Sequence, residues 1–253
     1  MNFQAFQNRL DKLSQVMLSK RLRRALFGYR VLACAEHRHV LSRELSTVVD
    51  IGANRGQFAL AARQWSPKAR VISFEPLSAP AAIFLRVFAD DDQVVLHPVA
   101  VGPESVRQEM HVSARDDSSS LLPISSLQGI LFPGTEEVAT TEVQVVPLAE
   151  LVSAEDLQMP AMLKLDVQGF EFDALRGCES LLKHFDWVYC ECSFVELYSG
   201  QKMAWEVIDW LSARGFCLMG MFNPAYDLNG QAVQADFLFS RMDDQDLRGK
   251  WLQ

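Results

Sequence analysis

The 253-residue sequence predicts an α/β fold on a mostly parallel sheet, and three observations predict it. Short β-branched runs alternate with helical stretches from about residue 47 onward. Acidic residues and glycines cluster where two of those runs end. The last two runs have no helix between them and are joined by turn residues, so the final strand is expected to return antiparallel as a hairpin.

Taken in order, residues 1–46 read as a helical extension and residues 47–253 as one α/β domain. Phe3, Phe6, Leu10, Leu13 and Met17 recur at helical spacing, the basic run Lys20–Arg24 continues the pattern, and Gly28 ends or joints it. Strands are expected over Thr47–Ile51, Arg70–Phe74, Val94–Val99, Met162–Asp166, Trp187–Cys192, Phe216–Phe222 and Ala235–Ser240. Helices are expected around residues 57–65, 79–89, 170–185 and 203–214. The polar stretch from Pro103 to Thr141 reads as a loop or β-hairpin insertion over one end of the sheet.

Composition narrows the function classes. With 49% hydrophobic and 22% charged residues the chain can bury a sizeable core. No apolar run approaches the ~18 residues of a membrane span, and the polar start MNFQAFQNRLDKL lacks a signal-peptide centre. Five cysteines without a regular framework suit a reducing compartment, so a cytoplasmic location is expected. The net charge of −8 is uneven: residues 1–45 hold nine Lys/Arg and three Asp/Glu, a net of +6, leaving −14 for the rest. That balance argues against nucleic acid as partner. The basic segment is expected to dock on its own acidic body or to form a homodimer through the N-terminal helix.

The segment VVDIGANRGQF carries the first chemical signal. Asp50 closes a strand, and Gly52, Asn54 and Gly56 belong to a turn into a helix. A dinucleotide fingerprint would have glycine where Asn54 stands, and Asp50 would repel a pyrophosphate. An ammonium and a sulfonium suit that acid better, which points to S-adenosyl-L-methionine. Glu75 ends the next strand 23 residues past Gly52, where a carboxylate can accept ribose hydroxyls. Pro76 then stops the strand and shapes the adenine side.

LKLDVQGFEFDALRG is the second signal. Asp166 sits at the carboxyl end of a strand expected beside the first, facing the same crevice. Glu171 falls in the first helical turn, and two readings stay open: an acid favoured by the helix dipole, or a substrate or cofactor ligand. Asp166 and Glu191 could offer oxygens to a divalent metal, an option the incomplete ligand set does not favour. Cys190 and Cys192 share one strand face, which fits core packing.

Together, VVDIGANRGQF, ISFEP, HPVAVG, VPLAELV, LKLDVQGFEFDALRG and VYCECS resemble the FkbM-type methyltransferases. The resemblance covers residues 47 to about 240. It implies a Rossmann-like class I methyltransferase with a seven-stranded sheet whose last strand is reversed, and S-adenosylmethionine as methyl donor. It further implies O-methylation of a hydroxyl on a natural product, sugar or related small molecule or glycan. The family more often has Glu where this sequence has Gln168. A hydroxyl acceptor must lose a proton. Asp166 is the expected catalytic residue, as base or as orienter of the acceptor. His111 is a second candidate, beside the reading of a surface or satisfied-core histidine, whereas His97 reads as structural and His184 as a helix-face residue. The polar segment 115–120 reads as a solvated loop or, alternatively, as a mobile lid whose hydroxyls, Ser119 among them, meet the substrate. A non-catalytic binding or scaffold protein on the same fold and a nicotinamide oxidoreductase are the rival readings.

Overall fold

A computed structural model describes residues 19–242. The stripe Phe3–Met17 lies outside the described residues. A seven-stranded sheet organises the chain in the order β3-β2-β1-β7-β8-β10-β9. Its strands are β1 (Thr47–Ile51), β2 (Arg70–Phe74), β3 (Val94–His97), β7 (Ala161–Leu165), β8 (Trp187–Ser193), β9 (Phe216–Tyr226) and β10 (Ala232–Arg241). All pairings are parallel except those of β10, which runs antiparallel to both β8 and β9. The expected terminal hairpin is therefore present, with Asp227–Gly230 as its turn.

β1 is buried along its whole length because helices cover both faces of the sheet. One core cluster gathers Val49, Ile72, Leu163, Val188 and Phe237, and the other gathers Val48, Val71, Met162, Tyr189 and Leu238. Each fully buried aliphatic side chain contributes about 1.5–3 kcal/mol. The covering helices include α3 (Gln57–Trp65), α4 (Ser78–Val87), α6 (Glu171–Gly177) and α7 (Ala204–Ser212). Of the two tryptophans on α7, Trp205 is 56% exposed, while Trp210 packs against Phe172 and under the Arg214 guanidinium.

The third strand and the helix after the strand ending at Leu165 stop earlier than the sequence pattern suggests. The third strand stops at His97, where the Val99 N–H bonds back to the His97 carbonyl and the chain leaves for a second sheet. His97 stacks on Phe74, so its role is packing. The helix expected over 170–185 stops at Gly177, followed by a 3-10 turn over Glu179–His184. A Cβ on Gly177 would lie 2.3 Å from the Gly102 carbonyl oxygen, so this close crossing needs glycine.

The insertion is more structured than a loop. β4 (Ala100–Val101), β5 (Val106–Ser113) and β6 (Glu137–Val146) form a separate sheet in the order β4-β6-β5. The connection between β5 and β6 holds a 3-10 turn (Asp116–Ser118) and α5 (Ser126–Leu131).

The N-terminal elements α1 (Lys20–Tyr29) and α2 (Arg38–Leu41) dock on the body. Ser19 caps α1 by accepting from the Leu22 N–H. Leu22 and Ala25 are buried in the second core cluster, while Arg21 and Arg24 pair with Asp91 and Asp90. The basic run thus meets acids of its own chain.

Candidate active site

A cavity of about 370 Å³ opens at the carboxyl ends of β1, β2 and β7, a volume within the ~300–1,000 Å³ typical of small-molecule sites. The β1–α3 turn, the end of β2, the β7–α6 turn and the insertion line it, together with Cys34 and His37 before the sheet and Gln234 on β10.

The β1–α3 turn approaches the β7–α6 turn so closely that a Cβ on Gly52 would sit 1.8 Å from the Asp166 carbonyl oxygen. Gly52 also has φ +82°, which an L side chain rarely adopts. Asn54 donates its N–H to Glu75 Oε2 at 2.9 Å, and the Leu77 N–H reaches Glu75 Oε1 at 2.7 Å. Glu75 is buried at the end of β2, and burial pushes its carboxyl up to about 7. Each oxygen keeps a second lone pair. Pro76 and Leu77 continue the wall.

Beneath the turn lies a charge pair that the sequence reading missed. β1 and β7 pair Asp50 with Lys164, and Lys164 in turn sits opposite Tyr189 on β8. Lys164 Nζ is 3.1 Å from Asp50 Oδ1 and 3.7 Å from Asp166 Oδ2, and it donates to the Gly52 carbonyl at 3.1 Å. Asp50 is 0% exposed, and among the described residues neither of its oxygens accepts a well-aligned hydrogen bond. Its contact with Lys164 is thus one of charge, and burial still pushes its carboxyl upward. Burial works against the Lys164 charge too, but Asp50 and Asp166 outweigh it and raise the ammonium.

Asp166 follows β7 and is 40% exposed at its side chain. Gln168, at φ 56°, donates Nε2 to Asp166 Oδ1 (2.7 Å) and to Glu191 Oε2 (3.1 Å). Its Oε1 lies 2.8 Å from the Tyr198 hydroxyl, which is also 3.1 Å from the Ser118 carbonyl of the insertion. Glu191 Oε1 accepts from Gln234 at 2.9 Å, and burial raises its carboxyl. The space in which a cation would bridge Asp166 and Glu191 is therefore taken by an amide donor. Cys34, Glu36 and His37 also bring a thiol, a carboxylate and an imidazole within 4.8 Å of one another.

The insertion closes one side with Asp116, Asp117, Ser118, Ser119 and Phe132. Arg55 ties it to the β1–α3 turn, donating Nε (2.9 Å) and Nη2 (2.7 Å) to Asp116 Oδ2. Ser119 lines the cavity while its Oγ accepts from the Ser113 N–H.

Six expected site residues come together on this cavity: Gly52, Asn54, Glu75, Pro76, Ser119 and Asp166. Four others do not reach it. Asp50 lies below the turn, where it pairs with Lys164. Gly56 starts α3 against Phe84 and Phe88. Glu171 turns back to accept from the Val167 (2.9 Å) and Gly169 (3.1 Å) N–H groups, its carboxyl pushed up to about 7 by burial. His111 on β5 pairs with Glu137 at 2.8 Å on the outer part of the insertion. For these four the geometry offers support rather than contact. Lys164, Gln168, Tyr198 and His37, none of them expected, stand on or behind the wall. A lysine inside the apolar run Met162–Leu165 was the one local signal that could have exposed the first.

Strand order 3-2-1-7-8-10-9 with a single reversed strand, together with a glycine turn after β1 and a buried acid after β2, defines the class I methyltransferase architecture. Residues 50–218 match the methyltransferase FkbM domain, and the chain belongs to that family. It is an S-adenosylmethionine-dependent methyltransferase. Among curated relatives it is similar to the 2-O-methyltransferase NoeI of Sinorhizobium fredii (strain NBRC 101917 / NGR234). They are 29% identical over 78% of this chain and 85% of the relative. Methyltransferase 1 of Beauveria bassiana (strain ARSEF 2860) is 27% identical over 56% of this chain and 61% of that protein. Solved structures similar to the chain include precorrin-6y C5,15-methyltransferase from Geobacter metallireducens GS-15, with TM-score 0.46, 10% identity and coverage of 85% and 92%. TehB from Haemophilus influenzae follows at TM-score 0.47, 10% identity and coverage of 88% and 68%. The strand order, not these distant likenesses, defines the fold. Among the described residues no helix is long and apolar enough to cross a membrane.

Proposed function

We propose that this chain methylates a hydroxyl group of a small molecule, natural product or sugar. The observation that carries the reading is the half-exposed Asp166 carboxylate at the cavity wall, braced by Lys164 and Gln168 beside the glycine turn. An ionised carboxylate there can accept a hydroxyl proton in a hydrogen bond and hold the acceptor oxygen in line. The name of the relative NoeI, a 2-O-methyltransferase, supports an oxygen acceptor.

The wall fits S-adenosylmethionine. Glu75 offers free lone pairs for a ribose diol, Pro76 and Leu77 an apolar edge for adenine, and Gly52 a stretch of backbone on the wall. The donor, when bound, supplies an electrophilic methyl group. The chain's own part is to position. Lys164 holds the Gly52 carbonyl and Asp166 in one frame. Arg55 and Asp116 keep the insertion over the cavity and exclude water. Ser119 and its neighbours meet the acceptor. With Asp166 and Glu191 joined through an amide, positioning needs no divalent metal.

Calorimetry with S-adenosylmethionine, followed by transfer of labelled methyl groups to a panel of methyl glycosides and polyhydroxylated natural products, tests this reading. Binding that weakens at least tenfold in Glu75→Ala, with label recovered on an acceptor oxygen, is expected. Binding without transfer to any hydroxyl would instead support a scaffold that has kept its ligand.

A further inference from the structure

The turn Ala35–His37, before the sheet begins, places an imidazole on the cavity wall near Lys164, Asp166 and Gln234. His37 precedes the family-matched residues 50–218. Its Nδ1 is 2.9 Å from the Tyr189 hydroxyl oxygen. That hydroxyl donates to Asp236 Oδ2 at 3.0 Å, and Asp236 Oδ2 also accepts from Asn223 at 2.7 Å. A phenol has one proton. With that proton directed at Asp236, the Tyr189 oxygen can only accept from His37. Nδ1 therefore carries the ring hydrogen, and the neutral imidazole keeps its lone pair on Nε2.

We propose that His37 Nε2 is the base that takes the proton from the acceptor hydroxyl, with Tyr189 and Asp236 as positioning residues that fix its tautomer. The proposal rests on the methyl-transfer reading above and assigns Asp166 the task of orientation. In the step, a bond forms between the acceptor oxygen and the methyl carbon. The carbon–sulfur bond breaks with its electron pair going to sulfur, and the O–H proton passes to Nε2. The imidazolium then returns the proton to solvent, so the products are an ether, a thioether and one proton.

The surroundings suit that cycle. Burial lowers the His37 basicity and keeps the resting ring neutral, with Lys164 from β7 acting in the same direction. Asp236 from β10, 3.8 Å from Nδ1, together with Glu36 on the same turn and Asp166 after β7, favours the imidazolium once it forms. Phe58 at the start of α3 stands edge-on at 5.2 Å between centroids, and Tyr189 at 5.5 Å, which hold the ring plane.

Long-range ¹H–¹⁵N spectra of the full-length protein read the tautomer without any acceptor. A hydrogen on Nδ1 is expected, and Tyr189→Phe, which keeps the imidazole, should mix the tautomers. Turnover is then measured with an acceptor from the glycoside panel. His37→Gln should lose about 10²–10⁴-fold in kcat while its affinity for S-adenosylmethionine stays within twofold of wild type. The acidic limb of the kcat–pH profile should vanish in His37→Gln, and in Asp236→Asn it should move to lower pH. A hydrogen on Nε2 in the wild type, or wild-type kcat in His37→Gln, overturns this role and leaves methyl transfer standing. A wild type that binds the donor and methylates nothing overturns both.

Discussion

Replacing Lys164 by Met keeps most of the side-chain stem and removes the ammonium that faces the fully buried Asp50. Lys164 is 6% exposed and Asp50 0%, so little solvent screens the loss. Removing one partner of a buried ion pair costs about 3–5 kcal/mol. At roughly 2–4 °C per kcal/mol for a chain of this size, the melting temperature should fall by about 6–20 °C. The pH dependence adds a sharper requirement. Burial already raises the Asp50 carboxyl, and without Lys164 it rises further. A carboxyl whose folded pKa lies above its unfolded one binds a proton more tightly when folded, so acid relieves the deficit. Urea unfolding followed by circular dichroism at pH 8 and at pH 5.5 should therefore show a gap between variant and wild type that narrows in acid. The double variant Asp50→Asn with Lys164→Met should recover more than half of the loss. A single variant within 1 kcal/mol of wild type at pH 8, or a gap constant across that range, would refute the account of the pair.

Other perturbations test separate parts of the site. Gly52→Ala combines a clash with the Asp166 carbonyl and a strained φ; S-adenosylmethionine binding should be lost by calorimetry, and retention of wild-type affinity would show that the two turns can part. Glu171→Gln addresses a carboxyl raised to about 7 by burial. Its contribution to wild-type stability is fully present below the unfolded pKa near 4.5 and is lost as pH rises through about 7, a change of about 3 kcal/mol. The variant should lack that decline in denaturant melts between pH 5 and pH 8. Asp116→Ala cuts the tie between Arg55 and the insertion. Because that pair is partly exposed, stability should change by less than about 1 kcal/mol, while donor dissociation in stopped-flow fluorescence accelerates several-fold; an unchanged rate would mean that the tie does not hold the wall.

Local signals made some elements legible to the residue. β1, β2 and α3 have the bounds expected of them because apolar runs are punctuated there by Asp50, Glu75 and the glycine turn. The break at Gly177 was not legible, since it answers to Gly102 across the fold rather than to any neighbour in sequence. The insertion's hairpin was one of two readings; α5 within it escaped notice because its six residues are too few for a period to emerge. The site divides in the same way. Gly52, Asn54, Glu75 and Asp166 advertise themselves at strand ends. Lys164, Tyr189, Asp236 and His37 become neighbours only when strands β7, β8 and β10 align and the N-terminal turn folds over them. Glu171 and His111 carry suggestive chemistry in the sequence, but backbone amides and Glu137 already occupy them.

Gln168 has a consequence for how this centre stores charge. One neutral amide donates to Asp166 and Glu191 and accepts from Tyr198, so two acids share a linker that neither gains nor loses a proton. A carboxylate at that position could not donate to both; it would stand as a third negative group and demand either a trapped proton or a cation between them. By carrying an amide instead, the chain spaces its two acids with hydrogen bonds from one neutral group, and the third charge never arises.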